Sequence, residues 1–127
     1  MGEELTVLVC DDSPVVRKQI IKTLKTIGIQ HILEAADGKE AVTVCHKKTP
    51  NIVFLDIIMP KMDGIAALKE IHQHFPSIKV IMASSTSGQA HLKKSKLLGA
   101  YSFIQKPISE LVMRDLIKKI LNEKDRS

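Results

Sequence analysis

Short apolar runs alternate with stretches whose apolar residues recur every three or four positions, and the alternation repeats along the whole chain. Leu5-Thr6-Val7-Leu8-Val9-Cys10 is the first run, and Asp11-Asp12-Ser13-Pro14 breaks it. Ser13 can cap a helix, and Pro14 suits the first helical position, where its missing N–H costs nothing. Val16, Ile20, Leu24 and Ile27 follow at helical spacing until Gly28, which predicts a helix of about thirteen residues. Residues 31–36 form a weaker strand pattern with polar residues among the apolar ones, as expected at a sheet edge. Asp37-Gly38-Lys39-Glu40 has the form of a capping box, and the helix through Ala41, Val44 and Cys45 ends before Pro50.

Residues 52–55 are an apolar run that stops at Asp56. A turn with Pro60 and Gly64 follows, then a helix with Ile65, Leu68 and Ile71 facing inward. Residues 78–83 form the fourth strand pattern, succeeded by Ser84-Ser85-Thr86-Ser87-Gly88. The next helix stops at Gly99 and has a thin apolar face crowded by Lys93, Lys94 and Lys96. Residues 101–105 are the fifth strand pattern, closed by Lys106-Pro107. Ser109 caps a last helix whose apolar side carries Met113, Leu116, Ile117 and Ile120. Residues 122–127 read as a polar, frayed tail.

Strands alternating with helices mean α/β, and apolar runs that do not alternate mean parallel strands buried on both faces. The first strand is not followed by Gly-x-Gly-x-x-Gly, and five strands are one short of the Rossmann order. That leaves a flavodoxin-like doubly wound (βα)5 fold, a five-stranded parallel sheet in order 2-1-3-4-5 with helices on both faces. The expectation is a single domain over 1–127, with its core in 5–121. Sites in such sheets form beyond the carboxyl ends of the strands. Strand one delivers Asp11 and Asp12 there, strand three Asp56, strand four Ser84, Ser85 and Thr86, and strand five Lys106.

Three carboxylates in one crevice repel one another, and one lysine does not balance them. A divalent cation does, and oxygen ligands without His or Cys select a hard ion, Mg²⁺ with Mn²⁺ as a substitute. A metal, an ammonium, hydroxyls and a free carboxylate suit phosphoryl transfer, with Asp56 attacking in line.

Composition narrows the alternatives. The chain has 127 residues, 44% hydrophobic and 26% charged, which fits one soluble core. The net charge of +5 comes from dispersed lysines, and one tyrosine without tryptophan gives no basic-aromatic surface, so no nucleic acid is expected. No run is long enough to span a bilayer and no signal segment is present, so no membrane is expected. Gly2 formally fits a myristoylation pattern, but Glu3 and Glu4 argue against it. Cys10 and Cys45 read as small buried hydrophobes, which points to a reducing cytoplasm. His31, His46, His72, His74 and His91 read as surface residues without a metal role.

Asp11-Asp12, Asp56, Ser84 and Lys106-Pro107, in this order and spacing, resemble the receiver domains of two-component response regulators, stand-alone chemotaxis-type receivers above all. The resemblance runs from Leu5 to Leu121, and residues 56–64 are close to the family's phospho-acceptor signature. Chemotaxis receivers themselves exemplify the order 2-1-3-4-5, so the resemblance and the fold expectation are not independent. The resemblance implies that Asp56 takes a phosphoryl group from a histidine kinase or phosphotransfer protein. Asp12 would ligate Mg²⁺ directly, Asp11 mainly through water, and the backbone carbonyl of Ile58 would add a ligand beside Asp56. Lys106 would pair with Asp56 and then with the phosphoryl group. Ser84 would turn to bond a phosphoryl oxygen, Phe103 would rotate inward with it, and Pro107 would follow a cis bond.

Ser85 stands where the family prefers a smaller residue, which would narrow phosphoryl access. Ile58 and Thr86 occupy positions that tune autophosphorylation and dephosphorylation. The output would be binding of an unknown partner through helix four, strand five and helix five, with Lys93, Lys94, Lys96 and Tyr101 as candidates. Such a protein is a signalling switch rather than a turnover enzyme. Two alternatives stand beside it. One is a receiver excised from a longer regulator or hybrid kinase. The other is a metal-dependent aspartyl phosphatase, which wants a second aspartate two residues after the nucleophile, where this chain has Ile58.

Overall fold

Four of the five helices begin where a side chain accepts from the backbone. In the computed structural model, which describes residues 5–85 and 89–126 (side chains of 124–126 aside), Ser13 Oγ accepts from Val16 N and Asp37 Oδ1 from Glu40 N. Asp63 Oδ1 accepts from Ala66 N and Ser109 Oγ from Val112 N. The elements run β1 Thr6–Cys10, α1 Pro14–Thr26, β2 His31–Ala35, α2 Gly38–Lys48, β3 Ile52–Asp56, α3 Gly64–His74, β4 Lys79–Ser84, α4 Gln89–Leu97, β5 Ser102–Gln105 and α5 Glu110–Arg126. The strands are all parallel, in the order β2-β1-β3-β4-β5. The flavodoxin-like α/β expectation therefore holds, with β2 at an edge.

Side chains of successive strand residues point to opposite faces, so the sheet sorts its apolar residues into two cores. Val7, Val9, Ile52, Phe54 and Ile81 pack with Ile20 and Leu24 of α1 and Met113, Ile117 and Ile120 of α5. Leu8, Cys10, Val53, Leu55, Val80 and Met82 pack with Ala41 and Cys45 of α2 and Ala67, Leu68 and Ile71 of α3. Both cysteines are buried and free, as expected. Among the described residues no helix is long and apolar enough to cross a membrane.

Three local expectations need correction. Glu40 does reach back, but to Ala36 N at 2.6 Å rather than to the N–H of the cap. The segment after Leu121 is not a frayed tail: α5 continues to Arg126, and the Tyr101 hydroxyl donates to Glu123, holding the added turn to the start of β5. His72 is only partly at the surface. Its Nδ1 is buried, and its ring lies where a Cβ on Gly99 would come within 2.4 Å of it. Gly2 and Thr86 lie outside the described residues.

Candidate functional site

Period-two alternation, carried to the strand ends, sorts the rim before any contact is measured. Asp56 shares the parity of Ile52 and Phe54, Asp11 that of Val7 and Val9, and Lys106 that of Ile104. These three therefore belong to the α1/α5 side. Ser84 shares the parity of Val80 and Met82, and Phe103 packs with that same α2/α3-side core. Asp56 pairs with Ala83, and Ser84 pairs with Gln105, so the two groups sit on adjacent strands.

The acids and the lysine converge. Carboxylate oxygens of Asp11, Asp12 and Asp56 lie within 4.8 Å of one another. The Lys106 ammonium hydrogen-bonds Asp11 Oδ2 and stands 3.3 Å from Asp56 Oδ1. Asp11 is only 2% exposed, and its Oδ1 accepts from Ser13 N at 2.9 Å. Asp12 is exposed and carries no hydrogen bond among the described residues. Burial pushes the Asp56 carboxyl above its ordinary value; Lys106 pulls it back and Asp11 pushes it up again. Asp56 Oδ1 also accepts from Ile57 N at 2.9 Å, whereas no described hydrogen bond occupies Oδ2.

Two glycines fix the loop behind Asp56. A Cβ on Gly64 would stand 1.8 Å from the Asp56 carbonyl oxygen, and Gly64 N donates to Ile57 O at 2.6 Å. A Cβ on Gly38 would stand 2.1 Å from the Met62 carbonyl oxygen. Both ends of the loop are thus in backbone contact with a helix start. Cys10 lies beneath it, its Sγ 3.4 Å from Met59 Sδ. Burial, aided by Asp37, Asp11 and Asp56, pushes the Cys10 thiol far up, and burial alone lifts Cys45 to about 12. Neither is a nucleophile at neutral pH.

Ser84 is buried, and its carbonyl accepts from Lys106 N at 2.8 Å. Ser85 is exposed and lines, with Lys106, Pro107 and Ile108, a groove of about 330 Å³ against α1. The Lys106-Pro107 bond is cis. Ile58, two residues beyond Asp56, is 64% exposed. Phe103 is half-buried. Lys93, Lys94 and Lys96 are exposed on α4, but Tyr101 is half-buried, bonded to Glu123, with the ammonium groups of Lys79 and Lys119 over its ring.

Arg17 was not anticipated. Its Nη1 donates to the Asp11 carbonyl at 2.6 Å and its Nε to Glu34 at 2.9 Å, tying α1 and β2 to the acidic turn. Its place in the first turn of α1, after the acid pair, was the only signal.

Comparison with known proteins identifies the family. The response regulator receiver domain family matches residues 7–122. The chemotaxis protein CheY of Bacillus subtilis is 36% identical over 116 residues, covering 91% of this chain and 97% of that protein. The structure of the CheX-CheY-BeF3-Mg complex from Borrelia burgdorferi superposes with a TM-score of 0.87 at 35% identity, covering 94% of this chain and 91% of that one. A CheY-like receiver domain protein from Methanospirillum hungatei shares the fold, with a TM-score of 0.90 at 24% identity over 98% of both chains. This chain belongs to the receiver domain family of two-component response regulators.

Proposed function

We propose that the chain is a phosphoryl-accepting switch, with Asp56 as the acceptor and a histidine kinase or phosphotransfer protein as the donor. The observation that carries this reading is the convergence of three carboxylates on one lysine at the carboxyl edge of the sheet. The donor set fits Mg²⁺: the groups are all oxygens, close enough together to share one ion, without imidazole or thiolate among them. Asp12 would ligate directly, Asp11 through water, and Asp56 and the Ile58 carbonyl would complete the protein's share. Bound there, the ion would neutralise charge building on the phosphoryl oxygens.

Asp56 Oδ2 is the attacking atom, since Oδ1 is committed to Ile57 N and faces Lys106. Its lone pair forms the O–P bond as the N–P bond of the phosphohistidine breaks, and the imidazole keeps that electron pair. A carboxyl of raised basicity is the better nucleophile once ionised. Lys106 then turns from the carboxylate to the phosphoryl group. Ser84 and Phe103, on the α2/α3-side parity, report the change towards α4, β5 and α5, where a partner binds. Turnover of a phosphate ester is not its task, because Ile58 offers no acid or base.

Intact-mass measurement after treatment with acetyl phosphate and Mg²⁺ tests the reading. The expected result is one phosphoryl adduct that Asp56→Asn abolishes. No adduct, or one that survives that substitution, would falsify it.

A further inference from the structure

At the other edge of the sheet, the last turns of α2 and α3 lead into β3 and β4. There the packed helix pair brings together two histidines far apart in sequence. We infer that His46 and His74 form a two-imidazole site for a late first-row transition cation of the zinc class.

The spacing fits. The ring centroids are 5.5 Å apart with planes inclined at 57°. An ion held by two imidazole nitrogens at about 2.0–2.1 Å in tetrahedral geometry sets the centroids roughly 5 Å apart. The tautomer fits as well. His74 Nδ1 lies 2.9 Å from the Glu70 carbonyl oxygen, which can only accept. The proton is therefore on Nδ1, and Nε2 keeps its lone pair. A backbone carbonyl on the far nitrogen is the support that metal-binding imidazoles use.

His46 is oriented differently. Phe75 meets its ring edge-on, with centroids 4.9 Å apart and planes at 76°, and no described hydrogen bond occupies either of its nitrogens. Both histidines are exposed, so water can fill the open ligand positions. Both lie in the last turn of a helix, where the carbonyl ends carry partial negative charge. Lys47 and Lys48 oppose a cation from the same turn of α2, but they are exposed and free to swing outward. Imidazole donors without carboxylates do not suit Mg²⁺, which separates this site chemically from the aspartate crevice. A bound ion would join the ends of α2 and α3 and stabilise the folded chain by mass action.

The test is Zn²⁺ titration of the full chain by calorimetry with Mg²⁺ saturating, paired with the electron paramagnetic resonance spectrum of bound Cu²⁺. Expected are one Zn²⁺ per chain, two nitrogens coupled to Cu²⁺, and affinity at least about tenfold weaker in His46→Gln and in His74→Gln. Asp56→Asn should leave the titration unchanged. No binding, binding indifferent to both histidine substitutions, or binding lost in Asp56→Asn overturns the site and leaves the rings as an aromatic contact with Phe75.

Discussion

Lys106 bonds the buried carboxylate of Asp11 while standing 3.3 Å from Asp56 Oδ1. One ammonium thus holds two acids that arrive on different strands. Asp11 has its remaining oxygen on Ser13 N, so its charge is satisfied only while the lysine stays. When Lys106 turns to another partner, it gives up one acid or both, and the proposed cation has a structural as well as a chemical place.

Lys106→Met should therefore destabilise the chain in the absence of divalent cations by about 3 kcal/mol, the scale for leaving a buried charge unpaired. Mg²⁺ should recover part of that loss, and should stabilise the variant more than the parent. Urea denaturation with and without Mg²⁺ measures both. A variant as stable as the parent without Mg²⁺ would show that the pairing carries no weight.

Asp56→Asn should stabilise the chain at neutral pH. The folded pKa of Asp56 is raised from its ordinary 3.8, so the folded state binds more protons in the window above that value. Stability then falls as pH rises through the window, as the ionised group's penalty develops. Removing the charge should gain about 1 kcal/mol, or roughly 4 °C in melting temperature. The gain should vanish as the pH drops below 3.8. A gain independent of pH would assign the effect to something other than this titration.

Gly64→Ala places a methyl group 1.8 Å from the Asp56 carbonyl oxygen, where only backbone can yield. We expect a loss of about 3 kcal/mol, together with weakened phosphoryl uptake, because the displaced atoms belong to the acceptor itself. Thermal melts and adduct mass together check this. Normal uptake in a destabilised variant would detach the loop from the chemistry.

Ile58→Asn should change kinetics and little else. The side chain is 64% exposed, and such positions usually alter stability by less than about 0.5 kcal/mol. An amide two residues beyond the acceptor can hold a water where isoleucine cannot, so the phosphorylated form should decay several-fold faster. Adduct loss followed over time reads the rate. An unchanged lifetime would remove Ile58 from the set of rate-tuning residues.

The sequence disclosed what local chemistry writes down. Short apolar runs marked the strands, the missing Gly-x-Gly-x-x-Gly and the count of five left their order, and Ser13, Asp37 and Ser109 marked helix starts that the structure confirms. Apolar spacing also placed Ile20, Leu24, Met113 and Ile117 in the core. What stayed hidden depends on how helices rotate and pack. That Lys106 bonds Asp11 as well as facing Asp56 follows from side-chain reach across the rim. Arg17 meets Glu34 only because α1 packs on the face of the sheet that Glu34 shares with Ile32. His72 and His74 are two residues apart, yet one is half-buried against Gly99 and the other meets His46 from the neighbouring helix. No periodicity within one segment encodes those meetings.

The loop between Gly38 and Gly64 has a consequence for descendants of this chain. Its backbone is held at both ends by contacts that tolerate no β-carbon, while the exposed Ile58 side chain projects from it and Lys61 reaches to within 3.8 Å of Asp37 Oδ2. Substitution at Ile58 can alter signal duration without redrawing the scaffold. Duplicated copies could therefore diverge first in tempo, with their architecture intact.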